Sequence, residues 1–170
     1  IQRIIRDIPS DYVIQGGAKI SNIRQTLDKL SRQQGWRCKC IRCREIKSNI
    51  SKNEKMILFR EDYPASNGKE IFLSFENKNR TQLYSLLRLR IPSQDNEFLP
   101  EIKNSAIIRE IHTYGQLTQI GKKGLASQHK GLGKALTKEA EKIAKEFGFK
   151  KMTVISGVGV RGYYRKQGYK

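Results

Sequence analysis

The residues with the clearest chemical potential are Gln128 to Lys134, where Gly131 and Gly133 immediately precede a strongly periodic helix. Free N–H groups in the first turn of a helix point toward a bound anion, and the helix dipole adds partial positive charge. Glycine also lets the backbone approach a phosphate closely, because it has no Cβ. The pattern therefore predicts a phosphate-binding turn. A glycine-capped helix start that binds nothing is the alternative.

The three cysteines, Cys38, Cys40 and Cys43, lie within six residues. An odd number of closely spaced cysteines is not a disulfide framework, so we expect a reducing, cytoplasmic setting. Three thiolates in a tight turn could bind a metal, but zinc usually takes four protein ligands. Three reduced structural cysteines are the alternative, and an iron–sulfur site is less favoured.

The chain is strongly basic, with 34 Lys and Arg residues against 16 Asp and Glu and a formal charge of +18. This excess favours a polyanionic partner, and nucleic acid is the commonest. Arg37, Lys39, Arg42 and Arg44 surround the cysteines and are the candidate RNA-binding residues. A solvated charged surface is the alternative. No run of eighteen apolar residues is present, so no membrane partner is expected.

The apolar pattern of the first 50 residues predicts a small helical unit. Ile1 to Ile8 has helical spacing and stops at Pro9. A second helix is expected from a cap at Ser21 or Asn22 to about Gln34, with Gly35 as its C-cap. Ile23, Leu27 and Leu30 line one face of this helix.

After the cysteines the helical spacing of apolar residues ends, and the pattern becomes typical of strands. Four strands are predicted, at Met56 to Tyr63, Ile71 to Phe75, Leu83 to Ile91 and Ser105 to Tyr114. Turn-like stretches at Pro64 to Gly68 and Asn77 to Arg80 favour antiparallel pairing of the first three.

The helix after the glycines has the strongest periodicity. Its predicted apolar stripe is Leu132, Leu136, Ala140, Ile143, Ala144 and Phe147, and Gly148 ends it. A strand from Lys151 to Ser156 and a short helix from Val158 to Lys166 follow. The strands before and after the main helix should be parallel neighbours joined by a right-handed crossover, so the sheet is mixed.

The pattern Gln-x-x-Gly-x-Gly from Gln128 to Gly133, after an antiparallel meander, resembles the acetyl-CoA pyrophosphate loop of the GNAT superfamily of acetyltransferases. Tyr163 and Tyr164, followed by Gly168-Tyr169, resemble the late motif of that superfamily. The resemblance implies an α/β (α+β) fold with the GNAT mixed sheet. It also implies acetyl-CoA binding by Gln128, His129, Lys130, Gly131, Leu132, Gly133, Lys134, Tyr163 and Tyr164. The tyrosines are then the catalytic candidates, as general acids toward the leaving thiolate; packing of both in the core of a short helix is the alternative.

Three longer segments resemble one particular family within this superfamily. They are Ile108 to Gly115, Gln128 to Gly133 and Val154 to Lys166. In this order they resemble the acetyltransferase domain of the Elongator catalytic subunit family, which modifies the wobble uridine of tRNA. Arg6 to Pro9, Cys38 to Glu45 and Leu86 to Arg90 also match that family.

This resemblance implies carboxymethyl formation at carbon 5 of the wobble uridine, with tRNA contacts at the anticodon stem-loop. It implies a structural zinc at Cys38, Cys40 and Cys43, with a fourth ligand from outside this segment or from a solvent molecule. It also implies a preceding radical S-adenosylmethionine domain with an iron–sulfur cluster, whose motif is missing here. Residues 1–50 are then expected to be the end of that domain plus a zinc-binding linker. Residues 51–170 are then the GNAT-like domain, expected to lack its C-terminal strand.

Other expectations remain open from the sequence. Glu110 and His112 share one strand face and could assist attack of water on a thioester, but they stay outside the catalytic set. A protein lysine acetyltransferase and an RNA-binding module with a vestigial CoA site are the alternative functions. Elongator-type subunits or self-association are possible partners.

Overall fold

The computed structural model describes residues 23–47, 54–93, 99–115 and 131–170. The chain divides into two compact units, Ile1–Glu45 and Ile46–Lys170, here called unit 1 and unit 2. The expected helix from Ile1 to Ile8, its Pro9 stop and the caps at Ser21 or Asn22 lie outside the described residues. No helix in the described ranges is long and apolar enough to cross a bilayer.

Unit 1 contains helix α1, Ile23–Gln33, and the short helix α2, Ile41–Arg44. The predicted end of α1 is confirmed: Gly35 has φ of +74°, and the Trp36 amide donates to the carbonyl of Ser31 at 2.9 Å. This left-handed glycine turn satisfies carbonyls that the last helical turn leaves free. The predicted apolar face is incomplete, because Leu30 is 43% exposed while Ser31 is buried. Ser31 tolerates burial because its hydroxyl donates to the carbonyl of Asp28.

Unit 2 is built on a five-stranded sheet in the order β1-β2-β3-β4-β5. The strands are β1 Ile57–Ala65, β2 Gly68–Glu76, β3 Leu83–Ile91, β4 Ser105–Thr113 and β5 Lys151–Val154. The first three pairs are antiparallel and β4 and β5 are parallel, so the predicted mixed sheet is confirmed.

The first hairpin is tighter than the sequence predicted. Strand β1 continues through Pro64 and Ala65, and the turn is reduced to Ser66 and Asn67, with φ of 43° and 56°. Two consecutive positive φ angles match the twist of a two-residue hairpin. Pro64 is tolerated inside β1 because that strand is at the edge of the sheet, where a missing N–H costs no ladder bond.

Helix α3, Leu132–Glu146, is the crossover between β4 and β5. It packs on one sheet face through Leu136, Ala140, Ile143 and Ala144, against a cluster that includes Ile71, Leu73, Leu87, Leu89 and Ile108. The predicted stripe was wrong at its end. Phe147, the C-cap of α3, is 39% exposed, and the Lys69 ammonium on β2 is 5.0 Å from its ring centroid.

Two features of the last strands differ from the sequence prediction. Strand β5 ends at Val154 rather than Ser156, and the final helix is split into a 3-10 turn, Val158–Val160, and helix α4, Arg161–Arg165. Strand β4 has a bulge, because β3 pairing passes from Glu110 to Ile108 and leaves Arg109 without a cross-strand partner. The bulge and the short β5 together open the sheet on one side.

Candidate active site

A cleft of about 680 Å³ lies where β4 and β5 diverge. The two strands pair from Ser105 to Ile108, and the last link is the Ile155 amide donating to the Ile108 carbonyl at 2.9 Å. Beyond this link β4 no longer pairs with β5, although it remains paired with β3. The first turn of α3 and the segment that carries α4 form the other walls, including Gly131, Gly133, Lys134, Val160, Tyr163 and Tyr164. Its volume is that of an ordinary small-molecule site.

The phosphate-binding turn predicted from the sequence lies at this cleft. Gly131 is the N-cap of α3, in the left-handed region with φ of 101°, and no side chain of the described residues caps the helix. The N–H groups of the first turn therefore remain available for an anion. Leu132 and Lys134 belong to that turn. Gln128, His129 and Lys130, predicted for the same ligand, lie outside the described residues.

Gly133 allows a close approach between three elements. A Cβ at this position would be 3.1 Å from the Tyr163 hydroxyl and 3.6 Å from Oγ1 of Thr113. Glycine is therefore needed to bring α3, β4 and α4 together at the cleft. This contact places the Tyr163 hydroxyl next to the first turn of α3.

The two candidate catalytic tyrosines have different environments. Tyr163 is 44% exposed, whereas Tyr164 is buried, and their rings meet edge to face at 5.2 Å. Tyr164 also packs edge to face on Tyr169 at 5.8 Å. Burial, together with the neighbouring Tyr163, raises the pKa of Tyr164. Both side chains line the cleft, but Tyr163 has the solvent access that proton exchange requires.

A histidine and a glutamate on β4 also line the cleft. His112 Nε2 lies 3.1 Å from Oε1 of Glu110, as their shared strand face predicted. Glu110 forms a second ion pair with Arg88 on β3, which holds the carboxylate in place. His112 is exposed and its ring stacks on Tyr114 at 6.1 Å. An oriented imidazole at a cleft wall can accept a proton from water.

The three cysteines of unit 1 form a cluster with their sulfurs within 4.8 Å of one another. Cys40 is the N-cap of α2, and its amide donates to Sγ of Cys38 at 3.4 Å. Arg24 donates to Sγ of Cys43 at 3.3 Å. This donor set fits a zinc ion, which takes thiolates at about 2.3 Å. Among the residues that the structure describes, no His, Asp, Glu or further Cys joins the cluster as a fourth ligand.

The surroundings of Cys43 favour the protonated thiol over the thiolate. Desolvation, with hydrogen bonds to Cys40 and Cys38, raises the pKa of the Cys43 thiol to about 12. Metal binding must therefore release protons, and affinity should increase with pH.

Comparison with known proteins identifies the fold of unit 2 and shows which proteins the whole chain is similar to. The model of the acetyltransferase (GNAT) family matches residues 125–169. A tRNA uridine(34) acetyltransferase from Methanocaldococcus infernus is 45% identical over 99% of this chain and 33% of its own length. Elongator complex protein 3 from Schizosaccharomyces pombe is 41% identical over 99% of this chain and 32% of its own length.

A solved structure is also similar to this chain over nearly the whole of its length. The archaeal Methanocaldococcus infernus Elongator protein 3 with an N-terminal deletion is 43% identical, with a TM-score of 0.79 over 99% of this chain and 41% of the solved one. Over nearly its whole length the chain is similar to Elongator protein 3. It spans about a third of the length of the curated relatives it matches. Unit 2 has the GNAT fold, as the sequence predicted.

The four basic residues predicted to bind RNA have different environments. Arg42 pairs with Glu45, and Arg44 is half-buried with its Nε donating to the carbonyl of Lys39 at 2.9 Å. Arg37 and Lys39 are the more accessible pair, with Arg37 exposed and Lys39 at the start of the cysteine turn. Their side chains are therefore the better placed of the four to reach a phosphate.

Sequence reasoning missed two features of the site region. Trp36 is 45% exposed beside Arg37, and an exposed indole among basic residues can stack on an unpaired base. Its position next to a basic run was a usable signal. Arg88 on β3 was also missed, since its ion pair with Glu110 depends on a strand register that no local pattern specifies.

Proposed function

We propose that this chain is the acetyl-CoA-binding part of an acyltransferase that modifies the wobble uridine of tRNA. The observation that carries the proposal is the cleft between diverging β4 and β5, with an uncapped helix N-terminus beside the hydroxyl of Tyr163. The names of the relatives, tRNA uridine(34) acetyltransferase and Elongator complex protein 3, supply the substrate.

In this proposal the first turn of α3 binds the CoA pyrophosphate through backbone N–H groups, with Lys134 nearby. The thioester lies in the cleft next to Tyr163. During cleavage water adds to the acetyl carbonyl, and the bond to sulfur breaks. Tyr163 donates its phenolic proton to the departing thiolate. His112, oriented by Glu110, accepts the proton that the attacking water loses.

The product chemistry follows the family resemblance. We propose that the methyl carbon of the acetyl unit loses one hydrogen and bonds to carbon 5 of uridine, which loses its own hydrogen, in a radical step whose oxidant would be the S-adenosylmethionine of a domain with an iron–sulfur cluster. Water cleaves the thioester only after this bond has formed, so the carboxylate stays on the uridine as the carboxymethyl group. Residues 1–50 would then be the end of that domain and a zinc-binding linker, and residues 51–170 the acetyltransferase domain. The Elongator name of relatives also suggests partner subunits, and tRNA as substrate suggests the cytoplasm.

Calorimetric titration with acetyl-CoA tests the binding half of this function. We expect saturable heat, and the absence of heat at millimolar ligand with the fold intact would refute the proposal.

The release of acetate from acetyl-CoA, measured with and without tRNA, then separates the alternatives. Stimulation by tRNA supports the proposal, transfer to a basic peptide without tRNA supports a lysine acetyltransferase, and tRNA binding without any acetyl-CoA effect supports an RNA-binding module.

We propose that Cys38, Cys40 and Cys43 hold a structural zinc ion in unit 1. Purified chain should contain about one zinc ion, and Cys40→Ser should remove most of it, because only two thiolates remain. Elemental analysis after dialysis measures the content. Lys39→Ser is the matched control, since it changes the residue between two ligands without removing a sulfur. Equal zinc content in both variants would contradict the metal site.

We also propose that Arg37 and Lys39 contact tRNA phosphates. The double variant Arg37→Ala/Lys39→Ala should weaken tRNA binding whatever the tRNA sequence. The slope of log affinity against log salt concentration should fall in magnitude by about 1.4, because each lost contact with a single-stranded phosphate contributes about 0.7. Fluorescence titration at several salt concentrations measures the slope. Lys138→Ala/Lys145→Ala removes the same charge from the exposed face of α3. An identical slope change in this control would show a general charge effect instead.

A further inference from the structure

The bulge residue of β4, Arg109, is tied to a carboxylate two strands away. Its Nη1 donates to Oε1 of Glu70 on β2 at 2.8 Å, so the side chain crosses β3. Arg109 itself lines the cleft, at the point where the pairing of β4 with β5 ends. The contact therefore joins the cleft to the middle of the sheet.

Glu70 is an unusual residue to find at this place. It is only 2% exposed, and within the described part of the chain its Oε2 has no hydrogen-bond partner. A buried carboxylate is costly unless a cation compensates it. Arg90 comes within 3.7 Å, but its guanidinium already donates to the carbonyls of Ala65 and Ser66 in the first hairpin turn. Arg109 is thus the closest compensating charge.

The free-energy cost of burying the Glu70 carboxylate therefore depends on the conformation of β4. If the bulge flattened, the strand would shift by one residue and every later side chain would change face. Arg109 would then point away from Glu70 and leave a buried charge without its partner. Glu110 and His112 would leave the cleft wall at the same time.

We propose that Glu70 and Arg109 form a latch that holds the β4 bulge, and so sets the shape of the cleft that receives the acetyl-CoA thioester. Both are positioning residues: Glu70 acts through Arg109, and Arg109 acts through the backbone of β4. The inference rests on the proposed acetyl-CoA binding. It adds a specific reason why this sheet opens at Ile108.

The test compares acetyl-CoA affinity and thermal stability in three variants of the full chain. Glu70→Gln should weaken acetyl-CoA binding by about tenfold or more, because a neutral amide no longer holds Arg109. Glu76→Gln is the matched control. Glu76 is also fully buried on β2 and also paired with an arginine, Arg80, but it is not part of the cleft. Its affinity should change by less than about twofold.

The double variant Glu70→Met/Arg109→Met separates positioning from stability. Replacing a buried ion pair by apolar residues of similar volume often preserves stability. We expect a near wild-type melting temperature with acetyl-CoA binding still weakened. Faster amide hydrogen exchange at Ile107 to Thr113 than in wild type should accompany it.

Three outcomes overturn the inference: wild-type affinity in Glu70→Gln, an equal loss in Glu76→Gln, or wild-type affinity in the double variant. Failure of the proposed function is distinguishable, since the unmodified chain would then bind no acetyl-CoA at all.

Discussion

The Gly131→Glu chain is expected to bind acetyl-CoA on the order of a thousandfold more weakly than wild type. Gly131 has φ of 101°, where a side chain adds strain of about 1–2 kcal/mol. A Cβ would meet no atom of the described residues within 4 Å, so none of them blocks the new side chain at the helix start. A carboxylate about 4 Å from a phosphate adds roughly 4 kcal/mol of repulsion at an effective dielectric constant of 20. Calorimetric titration measures the loss.

Gly148→Glu is the matched control for this experiment. Gly148 follows the same helix and has φ of 83°, and a Cβ there would also have no neighbouring atom within 4 Å. The substitution adds the same charge and a similar strain at the opposite end of α3. It should lower the melting temperature but leave acetyl-CoA affinity within about twofold. Equal losses of affinity in the two variants would contradict a phosphate site at Gly131.

The second large effect is expected at Tyr163. Tyr163→Phe should slow acetyl-CoA cleavage by about a hundredfold, the lower range for loss of a general acid, with little change in acetyl-CoA affinity. The hydroxyl is the only group removed, and the ring keeps its edge-to-face contact with Tyr164. Release of free CoA, followed with a thiol reagent at saturating acetyl-CoA and tRNA, measures the rate.

Tyr164→Phe is the informative comparison, because Tyr164 is adjacent in sequence but buried. Its raised pKa makes its phenol a weaker acid than that of an exposed tyrosine. We therefore expect a smaller rate loss in Tyr164→Phe. A larger loss there, with Tyr163→Phe near the wild-type rate, would transfer the general-acid role to Tyr164.

Elements specified by nearby residues could be predicted from the sequence. Strand β3 was predicted with its observed bounds, Leu83–Ile91, because both of its ends are marked by turn residues or proline. Helix α3 was predicted from its 3.6-residue period and from Gly148, which ends it. The glycines before α3 and the cysteine triplet were also visible, since each depends on spacing within one short segment.

Features that depend on contacts between distant segments could not be predicted. Phe147 is on the apolar stripe that the helical period predicts, but it is 39% exposed, and the period alone cannot show which end of the stripe is covered. The difference between Tyr163 and Tyr164 follows from the packing of Tyr169 and from Gly133 on another helix. The ion pairs Arg88–Glu110 and Glu70–Arg109 require the strand register.

The sequence by itself determined the fold class, the glycines before α3, the cysteine triplet and the resemblance to the Elongator family, because each depends on local order along the chain. The tertiary structure alone decided where the sheet opens. A bulge at Arg109 and a β5 strand of four residues separate β4 from β5 beyond Ile108. The physical reason is that strand pairing and buried charge compensation join residues far apart in the sequence, as with Glu70 and Arg109, which are 39 positions apart.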